Sequence, residues 1–228
     1  MEGAQAVREA LAAEAVLELF ATPEAVQRYP ELTRGASEIS AKDAAALSET
    51  VTPQGLVAVC RLPQPSLAEL AARSPRLLAV LVEPNDPGNV GTIIRTADAA
   101  GADAVVIDGG VDAQNGKAVR ASAGSLFHLP IVEAPTSQVL DLPGITTFAA
   151  TGAGTTDLDD LAAGQALAGP SAWLFGTEAH GLPQDLLEAA THTVRIPIYG
   201  RAESLNLAAA AAVCLYASAR AQRASSGG

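Results

Sequence analysis

The chain has 228 residues, 49% hydrophobic and 17% charged, which excludes a disordered protein and suits one large folded domain or two modest ones. A net charge of −11 excludes nucleic-acid binding through a generally basic surface, since phosphate contacts draw on Lys and Arg. Any RNA contact must then be local: Lys42 and Lys117 are the only lysines, and a patch built from Arg95, Arg120, Arg195 and Arg201 is the available source.

In chain order, residues 4–13 read as a helix, 15–20 (AVLELF) as a strand, and Pro23 opens a short helix. Ser40 caps another helix through Leu47, and 55–60 (GLVAVC) is a buried strand, so residues 1–62 form a small α/β unit. Glu2, Glu9 and Glu14 stand where a secretory signal would be basic, so a cytoplasmic location is expected. Residues 63–76 are a linker punctuated by Pro63, Pro65 and Pro75, with Ser66 and Glu69 spaced as a capping box.

Beyond the linker, strands and helices alternate: strand 77–82, helix 89–100, strand 104–107, helix 116–122, strands 145–150 and 172–175, helix 183–190, strand 193–196 and helix 204–221. Such alternation predicts a mainly parallel sheet covered on both faces, spanning 77–222, with a disordered tail over 223–228. The run 207–217 is too short to span a bilayer, yet the last helix is apolar nearly all round and calls for burial on more than one face. Cys60 and Cys214 lie far apart in apolar segments and read as buried thiols of a reducing compartment. No Cys/His cluster has metal-ligand spacing, so no metal is expected.

Three stretches carry the chemistry: NDPGNVGTIIRTADAAG (85–101), LFGTEAHGLP (174–183) and IPIYGRAESLNLAAAAAVCLY (196–216). In the first, Val90, Ile93, Ile94 and Ala97 recur at helical spacing behind a turn rich in Pro and Gly, and Asn89 suits a helix cap. In order and spacing the three resemble the signature motifs of the SpoU (TrmH-type) branch of the SPOUT RNA 2′-O-ribose methyltransferases. KAVRASAGSLFHLP (117–130) is similar to a further family stretch, and EGAQAVREAL (2–11) to the start of the N-terminal substrate-binding domain of the two-domain form. In those relatives a basic stretch commonly precedes that point. None precedes it here, so either Met1 is an internal start or the arm is dispensed with; the expected consequence is for RNA affinity, not catalysis.

The resemblance implies a trefoil-knotted domain, S-adenosyl-L-methionine as methyl donor, a homodimer, and RNA as substrate, with rRNA ahead of tRNA. It also implies catalytic roles for Asn89, Arg95, Glu178, Ser204 and Asn206, and cofactor contacts at Thr151, Gly176, Ile196 and Leu205. Ordinary roles stand beside these. Arg95 has Asp98 at i+3 as a surface partner. Asn89, Ser204 and Asn206 are all cap-forming types, and Glu178 sits in a turn between glycines. Six residues separate Asn89 from Arg95, about 9 Å of helix axis that a long side chain can cover. By resemblance Arg95 binds phosphate and assists proton removal, and Glu178 orients Arg95 or the ribose. A guanidinium with a pKa above about 12 is a poor base, so its expected part is electrostatic.

Ser204 has no His/Asp pattern that would make it a nucleophile. His128, His180 and His192 are isolated and read as packing or surface residues. GAGTT (152–156) lacks the full G-x-G-x-x-G and the helix expected after it, which argues against a dinucleotide-binding dehydrogenase. A non-catalytic RNA-binding paralogue is the other rival, and retention of all five candidate catalytic residues argues against it.

Overall fold

The computed structural model describes residues 1–48, 50 and 52–226. The N-terminal unit holds α1 (Ala4–Ala12), β1 (Val16–Ala21), α2 (Pro23–Arg28), β2 (Ser37–Glu38), α3 (Ala41–Leu47) and β3 (Leu56–Cys60), its three strands ordered β2-β1-β3. Thr22 and Ser40 cap α2 and α3, each side chain accepting a backbone N–H three residues on. Val7, Ala21, Ala25, Leu56 and Ala58 form a core of its own.

The predicted capping box is present at α4 (Leu67–Ala71). The segment is more than a linker, because Leu67 and Leu70 are buried beneath the larger sheet with Leu78, Val80 and Val82.

That sheet is built from β4 (Leu77–Val82), β5 (Ala104–Asp108), β6 (Ile131–Glu133), β7 (Thr146–Ala150), β8 (Thr156–Asp157), β9 (Ser171–Phe175) and β10 (His192–Arg195). Its seven strands run in the order β6-β5-β4-β9-β7-β10-β8, and every pairing is parallel. All six residues of β4 are buried, Leu77, Ala79 and Leu81 in one core and Leu78, Val80 and Val82 in the other. Two-sided burial explains why the strand reads as a continuous apolar run.

The first face carries α5 (Pro87–Ala100), α6 (Gly116–Ser122) with a 3-10 turn at Ser125–Phe127, α8 (Leu158–Ala163) and α10 (Leu207–Ser226). The second carries α4, α7 (Thr136–Leu140) and α9 (Gln184–Ala189). Helices α5 and α6 cross so closely that a Cβ on Gly91 would lie 2.2 Å from the Ala118 carbonyl oxygen. Helix α10 is anchored by buried polar groups: Trp173 Nε1 donates to Ser218 Oγ (2.9 Å), and Gln222 Nε2 donates to the Arg76 and Gly169 carbonyls (2.9 Å each). Those carbonyls precede β4 and β9, and with β9 lying between β4 and β7 the path is compatible with the expected trefoil.

Several expectations need correction. Helix α5 begins at Pro87 with Asp86 as its cap, so Asn89 is already inside the first turn. Helix α10 begins at Leu207, after Ser204, and continues through Ser226 where a disordered tail was expected; 227–228 lie outside the described residues. A helix, α8, does follow the GAGTT segment. Cys60 is half-buried and only Cys214 is fully enclosed, its thiol pushed far up by burial. Among the described residues no helix is long and apolar enough to cross a membrane.

Candidate active site

Parallel strands end on one rim, and in such sheets the loops leaving that rim hold ligands. Here the rim loops that follow β7, β9 and β10 meet the start of α10. They enclose a cavity of about 330 Å³ lined by Thr151, Gly176, Glu178, Ile196, Ser204, Leu205 and Asn206, seven of the nine predicted site residues. An adjoining cleft of about 160 Å³ is lined by Asn89 and Asp86 and shares Glu178 and Leu207 with the cavity.

The loop after β9 explains the G-x-E-x-x-G spacing. Thr177 and Gly181 exchange backbone hydrogen bonds (3.2 and 2.9 Å), closing a tight turn with Glu178 at its tip. A Cβ on Gly176 would lie 2.2 Å from the carbonyl carbon and oxygen of Gly181, so only glycine lets the turn fold back on itself.

Glu178 joins α5 to α10. Its Oε1 accepts from Asn89 Nδ2 (3.1 Å), Asn206 Nδ2 (2.9 Å) and the Leu207 N–H (3.3 Å). Asn206 Nδ2 also donates to Asn89 Oδ1 (3.2 Å), while Asn206 Oδ1 caps α10 by accepting from the Ala208 N–H (2.9 Å). A carboxylate at the N-terminus of a 20-residue helix is also favoured by the helix dipole. Capping and site geometry are thus the same set of bonds. Glu178 Oε2 takes part in none of them.

Arg95 stands apart. It is exposed on α5 and, among the described residues, forms no hydrogen bond or ion pair, either with Glu178 or with Asp98. Asp98 binds His128 instead, its Oδ2 lying 3.0 Å from Nδ1. Of the four arginines expected to supply a local patch, Arg120 pairs with Glu2 (3.0 Å) and Arg195 with Asp157 (3.4 Å), while Arg95 and Arg201 form no hydrogen bond or ion pair among the described residues. Ser204 lines the cavity and, among the described residues, forms no hydrogen bond that would cap α10.

Sequence reasoning passed over Glu203 and Ile198, which line the cavity, and the pair Lys117–Asp86 (2.6 Å) beside the cleft. Lys117 opens the KAVRASAGSLFHLP stretch, a signal that had no partner until the fold placed Asp86 beside it. That ammonium, with the Gly88 N–H, holds the Asp86 carboxyl below the usual range.

The SpoU rRNA methylase family matches residues 76–216 of this chain. The chain belongs to that family. The 23S rRNA (guanosine(2553)-2′-O)-methyltransferase RlmP of Bacillus subtilis is 36% identical over 222 residues, covering 95% of this chain and 86% of that one. The SpoU methyltransferase AviRb from Streptomyces viridochromogenes, solved in complex with AdoMet, superposes with a TM-score of 0.85 at 30% identity, over 99% of this chain and 90% of that one. An AdoMet-bound rRNA methyltransferase from Sinorhizobium meliloti gives a TM-score of 0.80 at 31% identity, over 96% and 86%. Membership makes this SpoU protein an S-adenosylmethionine-dependent RNA ribose 2′-O-methyltransferase.

The cavity fits such a donor. Its walls are mostly apolar (Ala150, Ile196, Ile198, Leu205, Ala210), and its charged lining residues are Glu178 and Glu203, with no cation among the described residues to repel a sulfonium.

Proposed function

We propose that the rim cavity holds S-adenosylmethionine through Thr151, Gly176, Ile196 and Leu205, and that the cleft beside it receives the target ribose of a ribosomal RNA. The observation that carries this reading is the Asn89–Glu178–Asn206 network, which forms the wall shared by cavity and cleft. Bound in the cavity, S-adenosylmethionine would supply an electrophilic methyl group and leave as a neutral thioether that keeps the S–C bonding pair, with the 2′-hydroxyl giving up its proton to solvent.

The protein's part is positioning and electrostatics. Glu178 has one oxygen fixed by three donors, so its Oε2 is presented in a set direction and orients the 2′-hydroxyl. Ser204 and Asn206 border the same space and contact donor or ribose. Arg95, uncommitted within the chain, binds the neighbouring phosphate and lowers the hydroxyl's pKa by its charge; it does not act as the base. Ribosomal RNA is favoured because the relatives are named for 23S rRNA. The working location is the cytoplasm. Comparing 2′-O-methyl sites in ribosomal and transfer RNA from a gene-deleted host tests the target class.

The working form is a homodimer through the outer face of α10. Val213 and Tyr216 stay 42% and 39% exposed there, bordering a groove against α8, which supports a second covering surface. Sedimentation velocity at micromolar protein tests this: a dimer is expected, and a monomer throughout would remove it.

The decisive experiment on the site is Arg95→Ala. Single-turnover methyl transfer falls by roughly 10²-fold or more, as expected when a transition-state charge contact is lost. Calorimetric affinity for S-adenosylmethionine stays unchanged, because Arg95 does not line the cavity. Undiminished turnover would remove Arg95 from the mechanism.

A further inference from the structure

The cavity's least secured wall is the segment between β10 and α10. Residues 197–205 contain no helix or strand, yet Ile198, Glu203, Ser204 and Leu205 all line the cavity. Among the described residues no backbone hydrogen bond ties 197–205 to the rest of the protein. One side-chain bond does: the Tyr199 hydroxyl donates to Asp159 Oδ2 at 2.7 Å, across 40 positions of sequence. The Tyr199 ring itself is 88% exposed, so packing does not account for its place.

Asp159 is well set to receive it. It lies in the first turn of α8, whose cap Asp157 accepts both the Asp159 N–H (3.1 Å) and Arg195 Nε (3.4 Å). The start of the segment is therefore tied to β8–α8 by Arg195, its middle by Tyr199, and its end to α5 by Asn206. The bond to Asp159 also favours the protonated phenol, which keeps the hydroxyl a donor through the neutral range.

We infer that Tyr199 and Asp159 form a positioning clasp for the cofactor loop: they hold 197–205 in the donor-binding shape before S-adenosylmethionine arrives. The inference rests on the assignment of this cavity to S-adenosylmethionine. Pre-organisation of this kind acts on affinity, since an untied loop must be ordered at the moment of binding. It leaves Asn89, Glu178 and Asn206, which bond one another outside the loop, where they are.

The test is calorimetric titration of S-adenosylmethionine, without RNA, into wild type, Tyr199→Phe, Asp159→Ala, Asp159→Asn and the Tyr199→Phe/Asp159→Ala double variant. Tyr199→Phe and Asp159→Ala should each weaken binding roughly three- to tenfold, the range for one hydrogen bond to a charged partner at an exposed site. Asp159→Asn, which keeps an acceptor oxygen, should recover most of the loss. The double variant should be no worse than either single one. Hydrogen exchange of cofactor-free protein should show the 197–205 amides exchanging faster in Tyr199→Phe, while turnover at saturating donor stays near wild type.

Wild-type affinity in Tyr199→Phe, or losses that add in the double variant, would overturn the clasp. So would a rise in the KM for RNA alone in Tyr199→Ala, which would assign the exposed ring to base stacking instead. If wild type binds no S-adenosylmethionine while exchange still depends on the clasp, the cavity assignment fails and the clasp stands.

Discussion

Two polar junctions hold this protein together, and they are built from different chemistry. At the seam between the N-terminal unit and the main sheet, where Met1 packs against both cores, the polar contacts are charged: Glu2 meets Arg120 (3.0 Å), and His128 lies between Glu9 (3.3 Å) and Asp98 (3.0 Å). At the rim, two amides and one carboxylate interlock around Glu178. Partly covered ion pairs of this kind keep some freedom of geometry and contribute on the order of 1 kcal/mol each, which suits a joint between units. Amide bonds are directional and do not titrate, which suits a site that must aim one oxygen at one hydroxyl. The seam is thus expected to tolerate change that the rim does not.

The strongest way to break that contrast is Glu178→Ala. It strips the acceptor from Asn89, Asn206 and the start of α10 together, and loss of alignment on this scale slows chemistry by about 10²-fold or more. Single-turnover methyl transfer measures it. Glu178→Gln sharpens the point, because its carbonyl oxygen can still accept these bonds and should preserve much of the α10 cap. Should Glu178→Gln be as inactive as Glu178→Ala while its thermal midpoint stays wild type, charge rather than alignment is what Glu178 supplies.

Glycine substitutions compare the same regions one step lower. Gly176→Ala drives a Cβ into the Gly181 backbone, which has nowhere to go, so the turn carrying Glu178 must shift. Overpacking of this kind costs about 1–3 kcal/mol, and S-adenosylmethionine affinity should fall with the thermal midpoint. At the seam, a Cβ on Gly124 would lie 2.3 Å from Cγ and 2.7 Å from Cβ of Glu9, and φ there is +98°. Gly124→Ala should therefore cost about 1–3 kcal/mol through overpacking and backbone strain, yet leave S-adenosylmethionine affinity intact. Equal loss of cofactor affinity in both variants would erase the distinction.

Sequence was most informative where residue type and spacing are set locally. The apolar run of β4 and the stripe on α5 required nothing distant, and the glycine spacing around Glu178 follows from a turn that closes on itself. Asn89 was misplaced as a cap although Pro87 and Asp86 carried the stronger signal, Pro being favoured at the first helical position with an acidic cap before it. Strands β2, β6 and β8 span only two or three residues, too few to show any period. The largest gaps were partnerships across the chain. His128 reads as isolated because its two carboxylates lie 30 and 119 positions away, and Tyr199 because Asp159 lies 40 away. The carboxylate partners of two of the four arginines were hidden for the same reason, since Glu2 and Asp157 reach Arg120 and Arg195 only in the folded protein.

The smallest expected effect isolates the seam. The hydrogen bond to Asp98, aided by its charge and by Glu9, raises the His128 pKa above its ordinary 6.5, against a smaller opposing effect of burial. A folded-state pKa above the unfolded one means the protonated ring stabilises the fold. That contribution is complete below about pH 6.5 and disappears as pH rises through the folded-state value. His128 is 45% exposed, so solvent screening keeps the effect to a few tenths of a kcal/mol, up to about 1. Thermal midpoints of wild type and His128→Asn from pH 5.5 to 8.5 should therefore differ most at the acid end and converge at the alkaline end. The rim predicts no such trend, because no histidine takes part in its bonds. Cofactor affinity should accordingly show the same pH profile in His128→Asn as in wild type. A gap in thermal midpoint that widens towards alkaline pH would mean the neutral imidazole is the form that holds the units together, and the seam would then work by hydrogen bonding alone.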